Sequence, residues 1–138
     1  MTSHHTKEKG YLGVLKAQVD LHQKGYRILV PQTEHAPFDL VIYKNGEFKR
    51  VQVKYKAVDK TGALQVFFRT CWTDRHGIHN RPVDKNEIDL FCVYCPDTDE
   101  CYYFDPKCFR RSLNLRVKTP KNNQRCGVKT AADFRRVP

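Results

Sequence analysis

The sequence predicts one domain of the α+β class, in which a single N-terminal helix accompanies a mostly antiparallel sheet. An apolar stripe with helical spacing occupies the first part of the chain. Short runs rich in β-branched and aromatic residues follow it, separated by turn residues. With 138 residues, the chain is expected to form one hydrophobic core. This order of elements favours an α+β or mixed α/β fold.

The first predicted element is a helix from Lys7 to Lys24. Gly25 follows it as a typical helix stop, because glycine adopts positive φ without strain. A short strand is predicted from Tyr26 to Val30 and ends at Pro31. The apolar stripe of the helix recurs at steps of three and four residues, through Leu12, Leu15, Val19 and His22, and is widened by Val14, Gln18 and Leu21.

A β-hairpin is predicted over Pro37 to Lys54. Asn45 and Gly46 separate two β-rich runs, and this dipeptide suits a tight turn with positive φ at both central residues. Counting outward from the turn places Asp39 opposite Gln52. By alternation, one face of the hairpin should carry Phe38, Leu40, Val51 and Val53, and the other Asp39, Gln52 and Lys54.

The polar face of this hairpin has a possible chemical use. Opposed residues have Cβ atoms about 5 Å apart. Mg²⁺ takes oxygen ligands and keeps several waters. Asp39, the Gln52 side chain and the Val53 carbonyl could supply such oxygens, and Lys54 could orient water or neutralise phosphate charge. The alternative is an ordinary hairpin with polar residues turned outward.

The rest of the chain predicts further strands and two short helices. One long strand is expected from Ala63 to Trp72, followed by a polar loop from Thr73 to Pro82. Later strands are expected at Ile88 to Cys95, Cys101 to Phe104 and Leu113 to Val117. Short helices are expected around Lys107 to Arg111 and Ala131 to Arg135, with an irregular PKNNQ stretch between them.

Charge is concentrated at the C-terminal end. Residues 106–138 contain ten basic residues and one acid, so they hold +9 of the net charge of +10. A basic segment beside a nearly neutral body is typical of nucleic-acid binding, although an anionic membrane could attract it too. No run approaches the roughly 20 apolar residues needed to span a bilayer. Without a signal-peptide pattern, a cytosolic protein with free thiols is expected.

Taken whole, the chain resembles the PD-(D/E)XK nucleases, in particular the small homing endonucleases associated with group I introns. The resemblance rests on Pro37-Phe38-Asp39, on Gln52-Val53-Lys54 and on the late stretches EIDLFCVYCPDTDECYYFDP and SLNLRVKTPKNNQRCGVKTAADFR. It implies a restriction-endonuclease-like core and double-stranded DNA as substrate. It also implies Mg²⁺, with Mn²⁺ as a substitute, and a homo-oligomer, a dimer or tetramer.

The resemblance also assigns roles to individual residues. Asp39 matches the aspartate of the motif, Gln52 stands in the (D/E) place, and Lys54 matches the lysine. The family uses an acid on the first helix as well. Tyr11 stands where that acid is expected, and Glu8, about one turn earlier, is the nearest candidate. The alternative for Glu8 is a solvated acid that is stabilised near a helix N-terminus.

Two further groups of residues are candidates for binding. The polar loop carries two arginines and two histidines. Contact with DNA is the preferred interpretation, and a metal bound by the histidines is the alternative. Four cysteines could hold zinc, but Cys92 and Cys95 should point to opposite faces of one strand, so unbound thiols are the preferred interpretation, with Cys101 across a turn from Cys95. The predicted DNA contacts are Arg75, His76, His79, Arg81, Arg110, Arg111, Arg116, Lys118, Lys121 and Arg125.

The function predicted from the sequence is a Mg²⁺-dependent endonuclease that cuts double-stranded DNA at a specific site. A structure-selective nuclease that acts on junctions or in repair is the first alternative, because a fold does not fix its substrate. A DNA-binding module with a decayed active site is the second. Cleavage of one long site, of branched DNA, or of nothing would separate the three.

Overall fold

A computed structural model describes residues 2–118 and 128–138 and contains one long helix, α1 (Thr2–Gln23). Two short 3₁₀ helices lie at Pro106–Cys108 and Ala131–Phe134. No helix in this described part is both long and apolar enough to cross a membrane. The strands are β1 (Arg27–Leu29), β2 (Leu40–Lys44), β3 (Glu47–Tyr55), β4 (Ala63–Phe67), β5 (Arg69–Asp74), β6 (Gly77–Pro82), β7 (Leu90–Cys95), β8 (Glu100–Phe104), β9 (Ser112–Arg116) and β10 (Lys129–Thr130).

The strands form three sheets. The largest has the order β1-β2-β3-β7-β8, and its central pair, β3 and β7, is parallel while the other pairs are antiparallel. A three-stranded sheet has the order β10-β9-β4, and β5 and β6 pair as a two-stranded ribbon. The architecture is therefore a mixed α+β fold, as predicted.

The five-stranded sheet lies between two apolar layers. All six residues of β7 are buried, as expected for a strand covered on both faces. Leu90 and Cys92 pack toward α1 together with Ala17 and Leu21. The alternate residues of β7 pack on the opposite face, against the three-stranded sheet, as part of a cluster that contains Leu64, Phe68, Phe91, Val93, Phe104 and Leu115.

Helix α1 ends as the sequence predicted, at Gly25, which has φ of +91°. The Gly25 N–H donates to His22 O and the Tyr26 N–H donates to Leu21 O, which is the bonding of a Schellman cap. The face that the helix buries differs from the predicted stripe. Gly13, Ala17 and Leu21 are buried, whereas the stripe of Leu12, Leu15, Val19 and His22 is exposed.

A close approach to β3 explains why this face of α1 is the inner one. A Cβ built on Gly13 would lie 3.5 Å from Tyr55 Cβ and 3.7 Å from Val53 Cγ1. The helix therefore packs on β3 with almost no side chain between the two backbones. The helical spacing of the large apolar residues predicted that they would face the core. Instead, the small residues Gly13 and Ala17 lie on the face of α1 that packs on the sheet.

The hairpin register predicted from Asn45 and Gly46 is confirmed. Asn45 has φ of 53° and Gly46 has φ of 85°, as a type I′ turn requires. Leu40 pairs with Val51 in the antiparallel register. The prediction for Phe38 is wrong, because Phe38 packs against the cluster beneath the three-stranded sheet, across the main sheet from Leu40 and Val51.

The predicted single strand from Ala63 to Trp72 is wrong, and so is the predicted loop from Thr73 to Pro82. Phe68 is buried between β4 and β5; its N–H donates to Arg111 O and its carbonyl accepts from the Val83 N–H. This anchor turns the chain out of the three-stranded sheet. Beyond it, β5 and β6 form an exposed ribbon that turns at Arg75 and His76, and Gly77, the first residue of β6, has φ of +114°.

The later elements agree with the sequence more closely. Strands β7, β8 and β9 match the predicted runs to within two residues. The helix predicted around Lys107 to Arg111 is shorter: Asp105 caps it through the Lys107 N–H at 2.9 Å, and Lys85 Nζ donates to the carbonyls of Phe109 and Arg110. The PKNNQ stretch lies outside the described residues.

The buried cysteines of the described residues lie in two separate layers. Cys92 packs on the α1 side of the sheet and Cys95 on the other side, which confirms that they point to opposite faces. Cys101 pairs with Tyr94 and Glu100 pairs with Cys95, so the expected pairing of Cys101 with Cys95 is off by one residue. Among the described residues, no three of His, Cys, Asp and Glu are grouped as a metal site.

Candidate active site

Three predicted side chains share one face of the main sheet, near the start of β2. Gln52 and Lys54 lie beside Phe91 and Val93 of β7, so they share the face that is covered by the three-stranded sheet. Asp39 directly precedes β2, and the register of Leu40 with Val51 carries it to a position opposite Gln52. All three of these polar residues are half-buried. The hairpin thus assembles the predicted group without help from the helix.

Asp39 is held in place by the backbone of β3. Its N–H donates to Val51 O at 2.9 Å, and its Oδ2 accepts from the Val53 N–H at 2.8 Å. The side chain therefore extends the β2–β3 ladder just before β2 begins at Leu40. One carboxylate oxygen fixes the orientation of the group, and Oδ1 can face a ligand.

The Val53 carbonyl is turned toward the same place. Backbone groups of alternate residues on a strand point to opposite neighbours. Arg50 O accepts from the Asp89 N–H on the β7 side, whereas Val51 O and the Val53 N–H bond to Asp39 on the β2 side. Val53 O consequently points to the Asp39 side, beyond the end of β2.

Lys54 connects this group to the foot of the ribbon. Its Nζ donates to Arg69 O at 2.8 Å, and Arg69 is the first residue of β5. Burial lowers the pKa of Lys54, and the nearby Asp39 carboxylate opposes that shift. The ammonium keeps two further donors for other partners.

Burial has the matching effect on the carboxylate. It raises the pKa of Asp39, although the Val53 N–H and the Lys54 ammonium act in the opposite direction. A desolvated carboxylate beside an amide oxygen and a backbone carbonyl is an all-oxygen donor set, which is the kind that Mg²⁺ accepts. Asp39, Gln52 and Val53 therefore fit a hard divalent cation.

Glu8 is not brought to this group. It lies on the exposed side of α1, five residues before Gly13, where the helix touches β3. At about 100° per residue, that spacing turns Glu8 away from the sheet. Its assignment to the site remains a prediction that the geometry of α1 does not support.

The four predicted contacts of the polar loop lie on the ribbon instead. Arg75 and His76 form its turn, and His79 and Arg81 belong to β6. All are exposed except His79, which is half-buried. His79 stacks on Trp72 with ring centroids 5.3 Å apart, and its Nε2 lies 2.9 Å from Asp74 Oδ1.

An open cleft of about 430 Å³ lies at the foot of the ribbon. Pro37, two residues before Asp39, lines one side. The cleft is completed by the foot of the ribbon and the segment after it, namely Thr70, Arg81, Pro82, Val83, Asp84, Glu87 and Ile88.

The basic C-terminal residues are spread over two ends of β9. Arg110 and Arg111 are exposed, and Arg111 O accepts from the Phe68 N–H, so they lie near the foot of the ribbon. Arg116 and Lys118 lie at the opposite end, beside Gly62. Lys121 and Arg125, also predicted to contact DNA, fall outside the described residues.

Sequence reasoning missed the carbonyl of Arg69 and the stacked pair of Trp72 and His79. Every residue has a backbone carbonyl, so no sequence pattern could have identified Arg69 O as the acceptor for Lys54. The second pair carried a signal: two aromatic rings lie seven residues apart, at equal distances from the turn at Arg75 and His76.

The fold and the hairpin site together define a protein of the restriction-endonuclease-like class. The sequence model of the PD-(D/E)XK endonuclease family matches residues 4–137, nearly the whole chain. The chain therefore belongs to the PD-(D/E)XK endonuclease family. No curated protein matches it.

A solved structure gives the same result for the fold. The chain is similar to the bacterial homing endonuclease I-Ssp6803I, with a TM-score of 0.75 and 26% sequence identity. The match covers 94% of this chain and 88% of the other.

Proposed function

We propose that this protein is a divalent-metal-dependent endonuclease that cuts double-stranded DNA at a specific site, as a homing endonuclease does. The observation that carries the proposal is the group of Asp39, Gln52, Val53 and Lys54 at the end of β2, in a chain that belongs to an endonuclease family. The likeness to a homing endonuclease favours a specific site over a branched substrate.

The chemistry follows from the donors that the hairpin provides. Asp39 and Gln52, with Val53 O, would hold Mg²⁺, or Mn²⁺ in its place. Such an ion, when bound, supplies a Lewis acid for a phosphate oxygen and lowers the pKa of bound water. Lys54 keeps one N–H on Arg69 O and directs the others at the water or at charge that develops on the phosphate.

The exposed ribbon is the proposed DNA-reading element. A two-stranded ribbon fits the major groove of B-DNA. Arg75 and His76 at its tip could reach base edges, and Arg81 with Arg110 and Arg111 near its foot could contact phosphates. We expect a homo-oligomer, since one copy carries one site and a double-strand break requires two cuts.

Cleavage tests the catalytic part of the proposal. The protein is incubated with a library of random duplexes and Mg²⁺, and the cut ends are sequenced. We expect one long consensus. Cutting of branched DNA without a consensus would identify a structure-selective nuclease, and binding without cutting in Mg²⁺ or Mn²⁺ would identify a decayed site.

Two substitutions in the candidate active site test which residues carry out the cleavage. Asp39→Asn keeps an acceptor for the Val53 N–H but removes the charge that holds the metal, and should lower the cleavage rate by about 100-fold or more. Lys54→Met should lower it by roughly 100- to 1000-fold. Neither should change DNA affinity much, because both side chains lie away from the ribbon tip. Full cleavage by either variant would place the active site elsewhere.

A further inference from the structure

Helix α1 carries a second apolar face that the fold does not use. Tyr11 is 66% exposed and Val19 is 56% exposed, and Leu12 and Leu15 lie between them on the same side. These four residues follow one another at steps of one, three and four, which is a continuous stripe along a helix. Large apolar patches on an exposed helix mark interaction surfaces more often than chance.

The inner face of the helix is fixed, so this stripe cannot rotate into the core. Asp20 accepts from the Tyr103 hydroxyl, and Lys16 Nζ pairs with Asp99 at 2.9 Å. Ala17 has no exposed area, and Gly13 sits directly on β3. The helix is held on its inner side over about two turns, from Gly13 to Asp20, and the outer stripe remains for a partner.

The polar residues at the two ends of the stripe indicate which partner fits. Glu8 continues the stripe at its N-terminal end and His22 at its C-terminal end. In an antiparallel pair of identical helices centred on Leu15, residues whose numbers add to 30 face each other. Leu15 then faces Leu15, Tyr11 faces Val19, and Glu8 faces His22.

We infer that the outer face of α1 is the interface between two copies of this chain, packed antiparallel about Leu15. The register matches Leu15 to Leu15, Tyr11 to Val19 and, at both ends, an acid to an imidazole, while Leu12 packs against the aliphatic part of Gln18. Antiparallel packing also places the positive end of each helix dipole beside the negative end of the other. The inference deepens the self-association proposed above by naming its surface, and it does not depend on cleavage.

This interface gives Glu8 a different role from the one that the family resemblance suggested. A carboxylate turned away from the hairpin cannot reach the Asp39 group of its own chain, but it can accept a hydrogen bond from His22 of a second copy. The two assignments predict different results when Glu8 is changed.

The first test is analytical ultracentrifugation of the whole protein over a range of concentrations, without DNA or metal. We expect a dimer for the unchanged chain. Leu15→Glu puts two like charges on the axis and should raise the dimer dissociation constant by about tenfold or more. The matched control is Ile78→Glu, which replaces another exposed apolar residue, 76% exposed on the ribbon, and should leave the constant unchanged.

A charge swap tests the register. Glu8→Lys should weaken the dimer, and adding His22→Glu to it should restore the dimer, since the pair is then reversed. Circular dichroism confirms that each variant remains helical. Failure of the double variant to restore association would overturn the antiparallel register.

The outcomes separate this inference from the proposed function. A monomeric unchanged protein would overturn self-association, and a dimer that tolerates Leu15→Glu would overturn this interface alone. Loss of cleavage by Asp39→Asn belongs to the hairpin site and leaves the dimer as it was.

Discussion

Two aspartates beside β3 have carboxylates in opposite electrostatic environments. Asp39 bonds to β3 from the β2 side and Asp89 from the β7 side. Burial raises the pKa of Asp39, whereas the Arg50 guanidinium lowers that of Asp89 to about 2. Asp89 Oδ2 accepts from both the N–H and Nε of Arg50, at 2.8 and 2.9 Å, and Oδ1 accepts from Nη2 at 3.0 Å. The Asp89 carboxylate is stabilised by its ion pair with Arg50. The charged form of Asp39 is destabilised by burial, and a bound cation would offset that loss of solvation.

The cost at Asp39 predicts a gain in stability when its charge is removed. The folded pKa lies above the unfolded value, so the unfolded state ionises first and stability is lost as pH rises through the folded pKa. Asp39→Asn should therefore have a higher free energy of unfolding than the unchanged protein at pH 8 without metal, and the difference should vanish below about pH 4. Urea unfolding at several pH values measures it. If Asp39→Asn were less stable than the unchanged protein at pH 8, burial of the Asp39 charge would not destabilise the folded state.

Asp89 should behave in the opposite way. Because its folded pKa is lowered, its contribution is present above the unfolded pKa of about 3.9 and is lost as pH falls through about 2. Asp89→Asn should be less stable than the unchanged protein at pH 7, and the two should converge in acid. Acid titration of the thermal midpoint gives the comparison, with exposed Asp133→Asn as the control. Equal midpoints at neutral pH would show that the pair with Arg50 adds nothing.

Gln52 tests whether a neutral amide serves as a metal ligand. Gln52→Glu adds a charge about 5 Å from Asp39. Without metal the two carboxylates repel, but with Mg²⁺ the added charge should tighten binding. The Mg²⁺ concentration for half-maximal cleavage should fall for Gln52→Glu and rise about tenfold or more for Gln52→Ala. One shared midpoint in a Mg²⁺ titration of initial rates would remove Gln52 from the site.

At the scale of elements, the sequence was informative where local chemistry decides structure. Asn45 and Gly46 fixed a turn, and the turn fixed which side chains face Asp39. The ribbon was missed because both of its faces meet water, so its strands lack the alternation of apolar and polar residues that marks a half-buried sheet. The inner face of α1 was missed because close packing selected Gly13 and Ala17 over larger residues.

The placement of basic residues around the ribbon predicts an uneven dependence on salt. Each phosphate contact contributes about 0.9 to the slope of log K against log salt. Arg110→Ala with Arg111→Ala, at the foot of the ribbon, should therefore flatten the slope by roughly 2. Lys60→Ala with Lys118→Ala removes the same charge at the other end of the three-stranded sheet and should have a smaller effect. Fluorescence anisotropy at several salt concentrations measures both; equal flattening would extend the DNA surface to that far end.

At the scale of the whole molecule, the two faces of the main sheet carry different features. The face covered by α1 carries the exposed apolar stripe of that helix, while the opposite face carries the hairpin group. The family and the fold class could be predicted from the sequence because the motif and the late strands span most of the chain. The direction in which Glu8 points could not, since it depends on how the helix rotates against β3.

The bond from Lys54 to Arg69 O has a mechanical consequence. The ribbon pairs with no other strand in the described part of the chain, and Lys54 is bonded to its first residue, next to the buried anchor Phe68. In the proposed function, a duplex bound at the ribbon tip would displace Arg69 O and, through it, the Lys54 ammonium that is proposed to act on the scissile phosphate. Short duplexes that contain the cut position but end before the tip should therefore be poor substrates even when they are bound. Binding of DNA by the ribbon and positioning of Lys54 for cleavage would then be coupled. DNA that lacks the sequence bound by the ribbon would be cut slowly, which limits cleavage at non-target sites.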